Sequence, residues 1–242
     1  MRAWLLLGLI GCAHADQREV VRVFAASSLT DAWADLEARH EAAHPDHDVQ
    51  LVFAGSQVLQ MQLSHGAPAD LLAVADAGPI EALGPRLGPS EVFAAGELVV
   101  AVVADSPMRT ARDLPMAQRL VIGLPDAPIG RYTLAALDAA AREQGQPWRQ
   151  AVEARVVSRE SNVRLVRTKV ELGAADAAIV YASDLVDSPL RALPLPASWQ
   201  PEVRFHLAAV GAPTPASEAV LATLRSPQGR AVLRTHGLRP LP

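Results

Sequence analysis

The sequence has one cysteine, one lysine and few aromatic residues among its 242 positions. Because Cys12 is the single cysteine, no disulfide can form within the chain. Lys169 is the only lysine among 22 basic residues, the arginines form no basic run, and the formal net charge is −4. This pattern argues against a nucleic-acid partner. It leaves a small anion open as a ligand, because an anion site is local.

The apolar run near the N-terminus is too short to cross a membrane as a permanent helix. It extends from Trp4 to Ile10 after the positively charged Arg2, an arrangement typical of an export signal. The rest of the chain is rich in alanine and leucine, and half of all residues are hydrophobic. A substantial folded core is therefore expected, and disorder is not.

Two processing sites follow the apolar run, and the sequence does not choose between them. Ala13-His14-Ala15 fits the A-x-A site of signal peptidase, which would make residues 1–15 the signal peptide. Leu9-Ile10-Gly11-Cys12 resembles a bacterial lipobox, which would remove residues 1–11 and place a lipid on Cys12. Either way we expect an exported, periplasmic protein, with lipid anchoring through Cys12 left open.

Apolar stretches of strand length alternate with amphipathic helical patterns along the chain. Strands are predicted at 20–25, 49–54, 69–76, 98–104, 120–123, 154–157, 177–181 and 203–211. Helices are predicted at 30–44, 58–63, 132–144, 163–171, 216–224 and 229–235. This alternation indicates an α/β protein with right-handed crossovers. No repeat or low-complexity segment interrupts it.

The pattern changes near Glu97, where a second α/β unit begins with an uninterrupted apolar strand. The length suits two lobes of about 100 residues each. We predict that residues 16–97 and 207–242 form lobe I and that residues 98–206 form lobe II. A C-terminal segment returning to the first unit is typical of a bilobal receptor.

Small or polar residues open the helices that follow four of the predicted strands. They are Ser28, Ser56, the segment 128–132 and the segment 161–163. In open α/β sheets the ligand crevice lies outside the carboxyl ends of the strands, where helix N-termini present N–H donors. Each position also has a simpler interpretation as a helix cap, and Asp31 completes a capping-box pattern with Ser28. The sequence alone leaves both interpretations open.

Several motifs together resemble the periplasmic molybdate-binding protein of ABC importers, over about residues 21–237. The motifs are Phe24-Ala-Ala-Ser-Ser-Leu-Thr30, Phe53-Ala-Gly-Ser56, Gly66-Ala-Pro-Ala-Asp70 with Asp76, Ile179-Val180-Tyr181, and Pro227-Gln-Gly229 followed by Gly237. The resemblance implies a type II periplasmic binding fold with two lobes, each a mostly parallel sheet flanked by helices. It also implies that an oxyanion, molybdate or tungstate, is held between the lobes and delivered to an ABC permease of the inner membrane.

The resemblance assigns five donors to the oxyanion. Hydroxyl donors match Ser28, Ser56 and Tyr181, and backbone N–H donors match Ile129 and Val163. Ile129 replaces a residue that is usually small and could narrow the pocket. The chain also differs from the family at Gln57, where serine or glycine is common.

A set made only of donors suits a tetrahedral dianion, whose four oxygens only accept hydrogen bonds. Phosphate, which is protonated at neutral pH, would need an acceptor that none of the five provides. Sulfate or another oxyanion is the alternative ligand, because fold does not fix ligand. We expect no cofactor, no enzymatic activity and a monomer.

Charged residues near these positions are given structural interpretations. Arg131 and Arg164 adjoin proposed donors and are predicted to be solvated, with direct anion contact as the alternative. Asp70 and Asp76 could suggest acid–base chemistry or a metal. Within the family pattern they are instead predicted to bound a strand and to contact backbone groups.

An H-E-x-x-H sequence, His40-Glu41-Ala42-Ala43-His44, matches the zinc-protease signature. Pro45 follows at once, so the helix is predicted to end at the second histidine, and His47 lies beyond the break. The resemblance places this segment at the exposed end of the first helix, away from the cleft. The sequence contains no G-x-S-x-G motif for a serine hydrolase. A zinc peptidase is therefore the weaker alternative, and no catalytic residue or metal ligand is assigned.

Overall fold

Two sheets, each flanked by helices, make up the protein. The structure, a computed structural model, describes residues 18–241. The predicted export segment and Cys12 lie outside the described residues. In chain order the strands are β1 (Glu19–Ala26), β2 (His47–Ala54), β3 (Leu71–Val74), β4 (Glu91–Gly96), β5 (Leu98–Val102), β6 (Leu120–Gly123), β7 (Val156–Glu160), β8 (Ala177–Tyr181), β9 (Arg191–Pro194), β10 (Val203–Ala209) and β11 (Arg239–Pro240).

Eight helices accompany these strands within residues 18–241. They are α1 (Thr30–Ala43), α2 (Ser56–Ser64), α3 (Gly78–Leu83), α4 (Pro128–Gln144), α5 (Gln146–Glu153), α6 (Val163–Glu171), α7 (Pro215–Arg225) and α8 (Pro227–Thr235). In this part of the chain no helix combines the length and the apolar character needed to cross a membrane.

The strand orders are β11-β4-β10-β3-β1-β2 in one sheet and β7-β6-β8-β5-β9 in the other. In the first sheet β1 is parallel to β2 and β3, and β10 is antiparallel to β3 and β4. In the second, β6 is parallel to β7 and β8, while β5 is antiparallel to β8 and β9. The two-lobed α/β fold is therefore as predicted, but the sheets are mixed rather than mostly parallel. The reason is that β5 and β10, the first strands after the crossings between the sheets, run against their neighbours.

The parallel strands of each sheet determine where a ligand can bind. Because β1, β2 and β3 are parallel, their carboxyl ends lie at one edge of the first sheet, and the same holds for β6, β7 and β8 in the second. Of the five residues expected to bind an anion, Tyr181 ends β8 and the other four follow the ends of β1, β2, β6 and β7.

The chain crosses between the sheets at Glu97 and again between β9 and β10. The first crossing lies at the predicted lobe boundary, 97/98. The second lies before Val203, because β10 pairs along its length with strands of the first sheet. The boundary proposed at 206/207 therefore moves to the segment between β9 and β10. Gln200 braces the crossings: its side-chain oxygen accepts a hydrogen bond from Leu98 N at 3.0 Å, and its nitrogen donates to Leu98 O at 2.8 Å.

The predicted elements that carry strong apolar periodicity are present, and the differences have local causes. The helix predicted at 132–144 begins at 128, because Pro128 occupies its first turn, where the missing N–H costs nothing. The elements α3, β4, α5, β9 and β11 were not predicted. The strand β4 lies inside the proline- and glycine-containing segment 84–96, whose composition masks it, and the others are short.

The H-E-x-x-H segment forms a packed histidine cluster, and α1 ends at Ala43, just before His44. Ala42 and Ala43 at the end of the helix are exposed, as predicted, but His40 and His47 are buried, with 1% and 9% exposure, which the sequence did not indicate. The rings of His40, His44 and His47 stack with centroids 4.6–5.1 Å apart. No group of three metal-ligating side chains within residues 18–241 is arranged to hold a metal ion.

The hydrogen bonds of His40 fix its tautomer. Thr223 Oγ1 donates to Ala219 O at 3.1 Å, so His40 Nδ1 must donate to Thr223 Oγ1 at 2.8 Å. His40 Nε2 then accepts from His47 Nδ1 at 2.9 Å. This chain of bonds joins α1, β2 and α7, and with His40 neutral each of its ring nitrogens has a complementary partner.

We predict that the protein loses stability as the pH falls from about 6.5 towards 4. Burial, followed by the charges of His44 and His47, lowers the pKa of His40 from 6.5 to about 4. In this pH interval His40 is protonated in the unfolded chain but stays neutral in the folded protein, so the free energy of unfolding falls. Thermal unfolding at several pH values measures this effect. His40→Gln should flatten the dependence and the exposed-site control His65→Gln should not; equal slopes in all three proteins would contradict the assignment.

Candidate functional site

A small cavity lies where the carboxyl ends of the two sets of parallel strands face each other. Its empty volume is about 210 Å³, which includes space open to solvent. The lining residues are Ala26, Ser27, Ser28, Gly55, Ser56, Ala75, Ala127, Pro128, Ile129, Ser161, Asn162, Val163 and Tyr181. All five residues predicted to bind an oxyanion are among them, and each of the six parallel strands contributes to the lining.

Ser28 lies in a single 3-10 turn, Ser27–Leu29, between β1 and α1. Helix α1 begins only at Thr30, and no side chain caps it. The capping box expected from Ser28 and Asp31 is therefore wrong: the 3-10 turn moves the helix start past Ser28. The Ser28 hydroxyl is buried and has no hydrogen-bond partner within residues 18–241. Leaving a buried hydroxyl without a partner costs free energy. A ligand that accepts a hydrogen bond from Ser28 would offset this cost.

Ser56 is the first residue of α2 and is 1% exposed. Its hydroxyl oxygen accepts a hydrogen bond from Ala75 N at 3.2 Å, and it does not cap its own helix. Because the oxygen is held by a backbone N–H from the turn after β3, the hydroxyl hydrogen remains free to donate. The bond fixes the Ser56 side chain between two strand ends that line the cavity.

Tyr181 ends β8 and is 1% exposed. Its ring makes edge contacts with Tyr132, at 6.3 Å between centroids, and with Phe205 of β10, at 5.7 Å. Its hydroxyl is buried without a partner in the described part of the chain. Burial raises the pKa of this hydroxyl well above its usual value. Tyr181 therefore keeps its proton at neutral pH and can donate a hydrogen bond.

Two backbone donors come from the first turns of α4 and α6. Ile129 is the second residue of α4 and Val163 the first of α6, and the first N–H groups of a helix have no acceptor within it. The side chain of Asn162 caps Leu165 N at 3.1 Å, so it does not occupy Val163 N–H. Both helices also direct the positive ends of their dipoles to the cavity.

Close backbone packing places the first turn of α4 at the cavity. A Cβ on Gly130 would lie 1.8 Å from Leu124 O, and one on Gly123 would lie 2.6 Å from Gly130 N. Glycine at these two positions lets the helix start approach the end of β6. The side chain of Ile129 is 2% exposed and helps to keep the cavity small.

The lining is uncharged, and the nearest carboxyl groups carry reduced or paired charge. Asp184, three residues after Tyr181, is 3% exposed. Burial raises its pKa to about 7 against the opposing effect of Arg164 and Arg167. At neutral pH this carboxyl is therefore partly protonated, which limits repulsion of an anion in the cavity.

The arginines and aspartates near the cavity depart in part from their predicted roles. Arg131 is exposed, as predicted, with 40% of its side chain accessible, but it also pairs with Asp76; Arg164 is only 26% exposed and pairs with Asp31. Asp70 accepts a hydrogen bond from Arg22 N at 2.7 Å, as expected for a backbone contact. Asp76 instead accepts from the Arg131 side chain. The two arginine–aspartate pairs join segments more than fifty residues apart, and no local sequence signal could have shown them.

A family described as bacterial extracellular solute-binding proteins matches residues 21–239. The molybdate-binding protein ModA of Mycobacterium tuberculosis (strain ATCC 25618 / H37Rv) is 32% identical over 199 residues, 75% of this chain and 72% of that protein. The predicted resemblance is therefore confirmed at the level of the family and of its molybdate-binding relatives.

Two solved structures share the fold. The periplasmic molybdate-binding protein of Azotobacter vinelandii superposes with a TM-score of 0.75 at 18% identity, covering 92% of this chain and 99% of that one. The sulfate-binding protein SubI of Mycobacterium tuberculosis H37Rv superposes with a TM-score of 0.77 at 18% identity, covering 93% and 88%. At these identities the likeness shows the two-lobed fold and leaves the ligand open.

We predict that Gly130→Ala strongly destabilises the protein, because the new methyl group would overlap Leu124 O. The start of α4 must move or unfold, at a cost above the 1–3 kcal/mol typical of overpacking. Urea unfolding measures the change. Gly78→Ala is the matched control: it also lies in the first turn of a helix, its Cβ has ordinary contacts of 3.4 Å or more, and it should change stability by less than about 0.5 kcal/mol. Similar stability of both variants would contradict the packing argument.

Proposed function

Because the chain belongs to the bacterial extracellular solute-binding protein family, we propose that it captures molybdate or tungstate between its lobes and delivers it to an ABC importer of the membrane. The observation that carries the proposal is a pair of buried hydroxyls, on Ser28 and Tyr181, without partners in the described chain and lining one uncharged cavity. A bound oxyanion supplies the missing acceptors.

The proposed donor set explains the class of ligand. The Ser28, Ser56 and Tyr181 hydroxyls and the N–H groups of Ile129 and Val163 only donate hydrogen bonds to the anion. A fully ionised tetrahedral anion can accept all of them, with each bond to a charged acceptor contributing about 1.5–3 kcal/mol. Protonated phosphate would present a hydrogen that this set leaves without an acceptor. We therefore infer a site that excludes phosphate through hydrogen bonding and does not act as an enzyme.

Sulfate is the second candidate, since it is also a tetrahedral dianion and the sulfate-binding neighbour has the same fold. The site can distinguish sulfate from the larger molybdate and tungstate only through the size of the cavity. The Ile129 side chain limits this size. We further propose that the protein works in the periplasm as a monomer, either free or anchored through Cys12, and carries no cofactor.

We predict tight, stoichiometric binding of molybdate and tungstate in isothermal titration calorimetry of the exported protein. Sulfate should bind much more weakly, and phosphate should give no heat. Tight binding of sulfate alone would make the protein a sulfate receptor, and no binding of any of the four anions would contradict the proposed function.

The same titration tests the hydroxyls one at a time. Ser28→Ala and Tyr181→Phe should each weaken molybdate binding roughly 10- to 100-fold. Neither should lower the stability of the anion-free protein, because each removes an unpaired buried group. Tyr132→Phe is the matched control: its hydroxyl already accepts a hydrogen bond from Arg204 N at 3.2 Å, and it does not line the cavity. A stability loss without an affinity loss would make Ser28 or Tyr181 structural only.

A further inference from the structure

Three side chains adjacent to the proposed donors reach across to the opposite lobe. Gln57 follows Ser56, Arg164 follows Val163, and Arg131 lies two residues after Ile129. None of the three lines the cavity. We propose that these clasp residues (Gln57, Arg131 and Arg164) are positioning residues that hold the lobes closed over the anion and thereby determine how long it stays bound. This inference rests on the proposed anion-binding function.

Gln57 joins the first turn of α2 in lobe I to the start of α6 in lobe II. Its side-chain nitrogen donates to Ser161 O at 2.7 Å, and Ser161 lies two residues before Val163. The backbones meet at the same place, since a Cβ on Gly55 would lie 2.5 Å from Ser161 O. Gln57 carries no charge, so its contribution to closure can be measured without changing the field at the anion.

Arg164 makes the reverse connection, from α6 in lobe II to the turn before α1 in lobe I. Its Nε donates to Ser27 O at 3.0 Å, and its Nη2 pairs with Asp31. Ser27 O belongs to the same peptide group as the N–H of Ser28, so the contact restrains the turn that carries the Ser28 hydroxyl. The Arg164 side chain is 26% exposed and the Asp31 side chain 54%, so solvent screens the ion pair and the hydrogen bond to Ser27 O is the firmer of the two contacts.

Arg131 makes the third connection, from α4 in lobe II to the turn after β3 in lobe I. Its Nε donates to Asp76 Oδ2 at 2.7 Å, and its Nη1 bonds to Asp126 O within its own lobe. The Asp76 carboxylate is 12% exposed and the arginine side chain 40%. The three connections lie beside three different donors, so closing the lobes and completing the anion site are one event.

This arrangement makes a kinetic prediction. An anion enters while the lobes are apart, when none of the clasp contacts exists, so the association rate constant should not depend on them. Dissociation requires the contacts to break, so their loss should raise the dissociation rate constant. A residue with a merely structural role would instead change the stability of the anion-free protein.

The experiment measures release of radioactive molybdate after dilution into unlabelled molybdate, together with the dissociation constant. Gln57→Ala should release molybdate about five-fold faster with an unchanged association rate constant and melting temperature. Gln60→Ala is the matched control and should behave as wild type, because among residues 18–241 the Gln60 side chain bonds only to Ser64 Oγ in its own helix. Wild-type release from Gln57→Ala would overturn its role.

Arg164 needs a charge control, because its removal leaves Asp31 unpaired near the anion. Arg164→Gln should accelerate release about ten-fold or more. Adding Asp31→Asn restores the net charge without restoring the contact, so release should stay fast. Recovery of wild-type release in this double variant would show that Arg164 acts through its charge alone, and would overturn the clasp at this position.

Small-angle X-ray scattering separates failure of the clasp from failure of the proposed function. The triple variant Gln57→Ala/Arg131→Gln/Arg164→Gln should have a larger radius of gyration than wild type in the anion-free state, the molybdate-bound state or both. If wild type binds no molybdate, the proposed function fails, and the anion-free comparison alone decides the clasp. If the triple variant and wild type have the same radius of gyration in the anion-free state and, where molybdate binds, in the bound state, the clasp is overturned.

Discussion

The need of buried hydroxyls for a partner is the physical constraint on which the rest of this structure depends. Ser28 and Tyr181 come from different sheets and different lobes, yet both hydroxyls are buried without a partner in residues 18–241. The free energy cost of such groups is offset when an acceptor enters. The parallel strands, whose carboxyl ends face each other, are what brings the two groups to one cavity.

Neutrality of the lining follows from the same architecture. Helix starts supply N–H donors and dipoles without a formal positive charge, and the arginines nearby pair with aspartates across the cleft. Under the proposed function, hydrogen bonds hold the ligand, whereas two ion pairs join the lobes. Such a division suits a carrier, because a site without a fixed counter-charge can release its ligand when the lobes separate.

Local signals were enough to predict the fold class and the small or polar residues at the strand ends, whereas the choice of Ile129, Val163 and Tyr181 as donors came from the family resemblance. Apolar strands that end on Ser28 or Ser56 are visible in any reading of the chain. The pairing of Arg164 with Asp31 could not be predicted in this way, since the two residues lie 133 positions apart in the sequence. The capping interpretation of Ser28 failed because one 3-10 turn separates β1 from α1. Burial of His40 also escaped prediction, since its partner Thr223 belongs to α7, far along the chain.

The most direct test of the account is anomalous diffraction at the molybdenum edge from crystals of the protein grown with molybdate. The account predicts one strong anomalous peak between Ser28, Ser56 and Tyr181. The oxygens of the anion at this peak should lie within hydrogen-bond distance of Ile129 N and Val163 N. A peak elsewhere, or an empty cavity in crystals of a protein that binds molybdate in solution, would contradict it.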